Sequence, residues 1–410
     1  MLNKLIKTLW GIFLFTFPFS VRFVVYEQFS YRFGNFNPWV TGFIYLPEIL
    51  LGVIFILWLI QKLRTPKSER RIKWNWLKIL LLLFIINAGI VTFVNGDKIL
   101  FGFFLLRIIE AIIIYLLIID QLLPIKTMIK ILLGAALLQI IWGYTQWQLN
   151  HSLGLTQFGE AVLGPDVAGV AKIDLADGTK QIRPYGTFLH PNILATYLMT
   201  IMFISLSYLK KYRLLVWLIV LTGGVYFTQS SAAGFITLTA FVLIIIFSFL
   251  RDIKVKRWIS LLTLLVLFLC NIWFFQNSYA VRFNDIALQE RLDQNIISRE
   301  MFTENPVGVG IGDFTWEMEM YAPEKLSPWD FQPVHNTYFL ILNEVGIQGI
   351  LILLIAIVII FYKYWKQGSI IPLFALILIA PFDHFLWDSF VGLILVAIAI
   401  GFFRLQQETN

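Results

Sequence analysis

The sequence predicts an all-α, polytopic integral membrane protein, and three observations carry that expectation. Of the 410 residues, 59% are hydrophobic and only 14% are charged, and mean hydropathy is +0.78, far from the balance of a soluble domain. Apolar runs of about 20 residues, the length that crosses a hydrocarbon core as a helix, recur along the whole chain. Basic residues gather on one side of the alternation that those runs define, as expected of cytoplasmic loops. The net charge of +7 therefore reads as topology rather than as a nucleic-acid surface. A lone cysteine, Cys270, can form no internal disulfide, and four scattered histidines make no zinc spacing. Neither cofactor nor metal is expected.

Taken in order, Lys4 and Lys7 precede an apolar run from Leu9 to Val25. It lacks a small-residue cleavage pattern, so it reads as an uncleaved first helix. A second span from about Val40 to Ile60 leads into the basic cluster Lys62, Arg64, Lys67, Arg70, Arg71 and Lys73, which places that loop and the N-terminus in the cytoplasm. Spans then follow near Leu77–Val94, Ile99–Ile119, Met128–Trp147, Ile193–Leu209, Leu214–Thr228, Ala233–Leu250 and Ile259–Phe275. The last three lie near Val345–Phe361, Ile370–Ala380 and Phe385–Phe403. The expectation is one membrane domain over 1–410 with about twelve helices and both termini inside, and this walk puts 21 of the 32 Lys and Arg on the cytoplasmic side.

Two long outer loops, 150–191 and 276–336, break the pattern of short connections, and loops of that length are uncommon unless they bind or catalyse. The second holds Leu288, Leu292, Ile296 and Met301 at near-helical spacing, the pattern of an amphipathic helix on the membrane surface with Arg291 and Arg299 on its polar side. It then reaches Pro306-Val307-Gly308-Val309-Gly310-Ile311-Gly312. Glycines this close together suit a tight loop pressed against something. His335-Asn336 opens the helix beyond, and Glu344 follows nine residues after His335, on the same side of a continuous helix.

Arg183 stands at the outer mouth of the bundle, where a planar, permanent cation suits phosphate oxygens. His190 and Asn192 flank Pro191 at a helix start, either as caps or with the free backbone N–H groups offered to an anion. Arg291 and Arg299 are candidates for the same phosphate role, or else part of a solvated face. Inside the membrane, Arg107 and Glu110 are spaced to pair on one helical face, whereas Glu48 has no partner visible in sequence. Asp383-His384 lies in an outer turn between the last two spans, bordering an active site or serving as a polar interface.

The blocks Arg183-x-x-Gly186-Thr187-Phe188-x-His190-Pro191-Asn192, Arg291-Leu292, Pro306-x-Gly308-x-Gly310-x-Gly312-x-Phe314, His335-Asn336-x-Tyr338 and Glu344-x-Gly346-x-x-Gly349 occur in that order. Together, over roughly residues 180–352, they resemble the bacterial O-antigen ligase and O-antigen polymerase superfamily. The resemblance implies a GT-C-like glycosyltransferase in the bacterial inner membrane. Such an enzyme moves a glycan from an undecaprenyl-pyrophosphate donor to an acceptor hydroxyl on a glycan, lipid or protein, without metal. In that reading His335 is the general base, Arg183 and Arg291 hold the pyrophosphate, and Glu344, Asn336, His190 and Arg299 support them. One departure stands out: members often carry Ser-Arg-Gly where this chain has Ser230-Ser231-Ala232-Ala233-Gly234, so Arg299 or Arg282 would have to supply a third cation. The competing expectation is a transporter or flippase for lipid-linked sugars, which would place its charges near the midplane of broken, repeated helices.

Overall fold

The computed structural model describes residues 1–64, 76–175, 177–209, 211–250, 285–364 and 370–409. The expected span at Ile259–Phe275, most of the basic cluster after Arg64, Lys254, Cys270 and Arg282 lie outside the described residues. The chain is mostly helical: α1 (Leu2–Thr16), α2 (Leu46–Arg64), α3 (Trp76–Asn95), α4 (Lys98–Ile119), α5 (Ile125–Leu149), α6 (Pro191–Leu206), α7 (Lys211–Phe227), α8 (Ser231–Leu250), α9 (Asp285–Glu304), α10 (Thr337–Tyr364), α11 (Ile371–Ile379) and α12 (Phe390–Thr409). Among the described residues, five helices, α2, α3, α4, α5 and α10, are long and apolar enough to cross a membrane, and five shorter apolar helices accompany them.

The first two spans are shorter than the apolar runs suggest. The helix expected from Leu9 to Val25 stops at Thr16, and Arg22–Tyr26 is instead a strand, β1, paired antiparallel with β4 (Gly42–Tyr45). Pro18 blocks continuation of the helix, and the β-branched and aromatic run Phe23-Val24-Val25-Tyr26 favours extended backbone. Between them, β2 (Tyr31–Arg32) and β3 (Asn35–Phe36) form a hairpin, and β5 (Lys172–Asp174) pairs with β6 (Lys180–Ile182) in the loop before α6. The run expected as one span from Phe385 breaks at Ser389, whose backbone is extended, into a one-turn helix Phe385–Asp388 and α12.

Helix α6 is the axis of the bundle. From Ile193 to Ser205 every side chain is buried, because the helix is apolar around its whole circumference. It packs on α5, α7, α8, α11 and α12. Thr196 and Thr200 donate to carbonyls one turn back, Asn192 and Thr196, Ser205 donates to Met202 O and Tyr197 to Leu132 O, so no hydroxyl is stranded there. Within the bundle, Arg107 contacts both Glu48 and Glu110 and donates to the Phe43 carbonyl at 2.7 Å. The acid that looked solitary in the sequence thus shares one guanidinium with Glu110, which offsets the desolvation of all three groups.

The glycine-rich loop closes against a break in α10. At Gly346 the backbone leaves the helix (φ 77°, ψ 179°), and the groups freed there find partners in the loop. Val309 N donates to Asn343 O at 2.8 Å, Gly310 N to Glu344 O at 3.1 Å, and Ile347 N to Pro306 O at 3.0 Å. Asn87 Nδ2 of α3 donates to Val345 O at 2.9 Å. A broken helix is tolerated in a membrane bundle when protein groups satisfy its backbone in this way. A Cβ on Gly346 would meet Val307 O at 2.0 Å and force a side chain into a left-handed conformation. Gly346→Ala is therefore expected to destabilise the protein by about 2–3 kcal/mol, read as a lower thermal midpoint in detergent, whereas Ala at the open Gly134 should leave it near the parent.

Candidate functional site

One end of the bundle gathers polar residues from three connections: the loop into α6, the turn before α10 and the link from α11 to α12. His335 reaches this cluster from a loop whose backbone is tied to α9, its N–H donating to Gln294 Oε1 at 3.2 Å. Asn336 caps α10, accepting from Tyr338 N at 3.0 Å and Phe339 N at 3.2 Å, so the ring of His335 stands at the helix mouth. The link folds onto the same helix start, since Thr337 donates to the Asp383 carbonyl through both N and Oγ1.

Asp383 is the centre of the cluster. Its Oδ1 lies 3.8 Å from His335 Nδ1 and 3.9 Å from His384 Nε2, and its Oδ2 accepts from Asn192 Nδ2 at 2.8 Å. Asn192 Oδ1 in turn accepts from Arg183 Nη2 at 3.0 Å, and Arg183 Nε donates to the Thr228 carbonyl in the α7–α8 turn at 3.1 Å. A continuous polar chain thus runs from Arg183 through Asn192 to Asp383 and ends facing His335. Among the described residues, His335 Nδ1 is buried with no hydrogen bond within reach and has Asp383 Oδ1 as its ionic neighbour, so this nitrogen is turned to the carboxylate, which can hold a proton placed on the ring.

The electrostatics set His190 and His384 apart. Burial works to raise the Asp383 carboxyl, but His335 and the other rings hold it well below the usual carboxylate range, so it stays ionised. His384 is also buried, which disfavours its cation. Asp388, whose Oδ2 lies 2.7 Å from Nδ1, outweighs that and raises it. His190 is lowered to about 3, by burial first and then by Arg183. It is a neutral ring whose Nδ1 accepts from Asn192 N at 3.2 Å, the capping arrangement of its helix.

The remaining sequence candidates fall in three places. Glu344 does not meet His335: its Oε1 accepts from Gly312 N at 3.0 Å and its Oε2 from Trp387 Nε1 at 2.6 Å. It ties the glycine-rich loop to the one-turn helix beside the site; the two residues do not share a helical side, because the helix begins only at Thr337 and His335 lies in the loop before its cap. Arg291 is exposed on α9, one turn before Gln294, and so lies on the helix side that braces the His335 backbone. Arg299 is exposed too and pairs with its neighbour Glu300 at 2.8 Å. Helix α9 buries Gln294, Ile297, Ser298 and Met301, while Leu292 and Ile296 face outward beside these arginines. The apolar spacing therefore marked two faces of the helix rather than one.

Sequence reasoning assigned no role to Asp383, Asp388 or Gln294. Only the Asp383-His384 turn carried a signal, because the partners of these residues come from other elements. The ligand atoms of His335, Asp383 and His384 lie within 4.8 Å of one another, close enough to surround one cation, although linear spacing gave no such cluster.

Compared with known families, residues 214–354 match the family described as O-antigen ligase. The match runs from α7 into α10, so it includes Arg291, Arg299, His335, Asn336 and Glu344, whereas Arg183 precedes it and Asp383 follows it. No curated protein matches the chain.

Proposed function

We propose that this chain, whose residues 214–354 match the O-antigen ligase family, is a membrane glycosyltransferase. It moves a glycan from an undecaprenyl-pyrophosphate donor to an acceptor hydroxyl on the outer face of the inner membrane. The observation that carries this reading is the polar chain Arg183–Asn192–Asp383 ending opposite the unpartnered Nδ1 of His335. His335 takes the acceptor proton as the hydroxyl oxygen attacks the anomeric carbon. The bond from that carbon to the phosphate oxygen breaks, and the electron pair leaves on the pyrophosphate. Asp383 stabilises the imidazolium so formed, and Arg183 stabilises the charge gathering on the phosphates. Arg291 joins it from α9, whose long basic side chain can turn toward the mouth. His190 and Asn336 cap the helices that carry the site, and Glu344 holds the loop behind it.

The twelve-span, GT-C-like layout with both termini inside belongs to the same reading. Cysteine labelling should find Lys67, Lys211 and Lys254 in the cytoplasm and Lys172 and Lys325 outside. A cytoplasmic location for 150–191 and 276–336 would put the site on the wrong face and end the proposal.

Reconstitution in liposomes with lipid-linked oligosaccharides tests the reaction. The expected result is a new glycosidic product and released undecaprenyl pyrophosphate, with turnover unchanged by a chelator. Donor that crosses the bilayer uncleaved would favour the transporter. Turnover lost to chelation and restored by a divalent ion would make His335, Asp383 and His384 ligands rather than acid–base groups.

A further inference from the structure

The outer loops present a set of aromatic rings that the chemistry above does not use. The β2–β3 hairpin turns through Phe33 and Gly34, both at positive φ, 49° and 77°. A phenylalanine is a poor residue for a left-handed turn position that Asn or Gly fills without strain, yet its ring is 59% exposed. Tyr31 is 61% exposed and Trp329 65%. In a membrane-spanning chain such rings either sit at the lipid interface or meet a ligand. Strain of this kind persists where the surrounding structure enforces it, and it marks functional surfaces.

The rings are interleaved with charged groups rather than gathered into a greasy patch. The Arg32 guanidinium lies 4.2 Å from the centre of the Phe331 ring and 5.0 Å from that of Trp316. It donates to the Trp316 carbonyl at 2.8 Å and pairs with Glu319. Phe33 leans on Phe331 with centroids 6.1 Å apart. Flat apolar faces beside a fixed cation and carboxylate suit a pyranose, whose C–H face packs on a ring while its hydroxyls reach the charges.

Both segments that carry these rings run into the site. The first continues to Asn37, which donates to Phe331 O at 2.9 Å, and to Trp39, which stands edge-on to His384 with centroids 4.8 Å apart. The second continues from Phe331 through Val334 to His335. We infer that the surface formed by Arg32, Phe33, Trp316 and Glu319, flanked along the chain by the exposed rings of Tyr31 and Trp329, is a glycan-binding platform, which holds the sugar chain of a substrate and feeds it to His335. The inference rests on the transferase reading for the identity of its ligand, but binding can be measured without turnover.

The probe is the sugar chain freed by mild acid from the pyrophosphate-lipid fraction of cells that make the protein, tritiated and dialysed to equilibrium against the full-length protein in nanodiscs. Saturable binding by the parent is expected. Phe33→Ala and Trp329→Ala should each weaken it about tenfold, equivalent to about 1.4 kcal/mol, and Phe33→Tyr and Trp329→Tyr should keep it. An unfolded variant would be recognised by its thermal midpoint, and the tyrosine variants then decide, since only a stacking surface predicts their retained affinity. No binding by the parent, or parental affinity in both alanine variants, overturns the platform. In a Cys270→Ser background, a nitroxide on F33C should relax with a water-soluble nickel complex. Preferential relaxation by oxygen would place Phe33 in lipid and overturn the platform as a membrane anchor. Sugar binding without transfer to any acceptor would refute the transferase reading and leave the platform standing.

Discussion

Arg183→Ala is expected to lower transfer by about a hundred- to a thousandfold, the range for removing one fixed donor that stabilises developing charge in a water-poor site. The side chain is held in place for such work: its Nε is fixed by Thr228 O and its Nη2 by Asn192 Oδ1, so little reorganisation is required as charge builds on the leaving phosphates. Arg183→Lys should recover only part of the loss, because an ammonium keeps the charge but cannot span the same two acceptors. Since the guanidinium also ties the loop before α6 to the α7–α8 turn, the thermal midpoint must be followed alongside turnover. A fall in both would indicate a strut. Arg291→Ala should also cause a large loss with no change in stability, as the residue is exposed, and Arg299→Ala a smaller one. Parental donor consumption by purified Arg183→Ala and Arg291→Ala would move phosphate recognition elsewhere.

The α7–α8 turn bears on the missing cation of the Ser-Arg-Gly pattern. In this chain the segment just before Ser230 supplies a carbonyl to Arg183 rather than a guanidinium of its own. The turn therefore aims an arginine that comes from another loop. Arg299, one of the substitutes considered for that missing charge, is engaged with Glu300 on an exposed face.

Membrane class, most helix positions and the resemblance of residues 214–354 to the O-antigen ligase family were legible in the sequence, since each depends on residues close together in the chain. Apolar length marks a span, and glycine spacing marks a loop that must approach another backbone. What was illegible depends on contacts between distant segments. The run Arg22–Tyr26 is apolar enough to extend α1, but its pairing with Gly42–Tyr45 makes it a strand. Glu48 appeared alone because Arg107 lies 59 positions further along the chain. The nine-residue interval from His335 to Glu344 suggested a shared helical face, but the helix starts at Thr337, after His335, and Glu344 turns to Gly312 and Trp387 instead. Asp383 was equally hidden: it lies 48 residues beyond His335, and only the folding of the α11–α12 link over the start of α10 brings its carboxylate beside the ring.

His335→Ala should leave the protein folded and able to bind donor while reducing transfer by about a hundred- to ten-thousandfold, the usual contribution of a positioned base. Three features single out this ring among the four histidines. His190 accepts from its own helix start and His384 faces Asp388, while His151 is exposed in a loop remote in sequence from the functional blocks. The imidazole of His335 alone has a buried ring nitrogen without a partner, and it faces an ionised carboxylate that would stabilise the proton it receives. The same geometry predicts that Asp383→Asn, which keeps the shape and the contact to Asn192 but removes the charge, slows transfer more than it weakens donor binding. The two variants should not be additive, because they disable one unit. His151→Ala serves as the control and should stay close to parental. The deciding measurement is in vitro transfer across a pH series: near-parental turnover by His335→Ala, with the acid limb of the profile intact, would remove the ring from the mechanism and leave the arginines and substrate positioning as the source of catalysis.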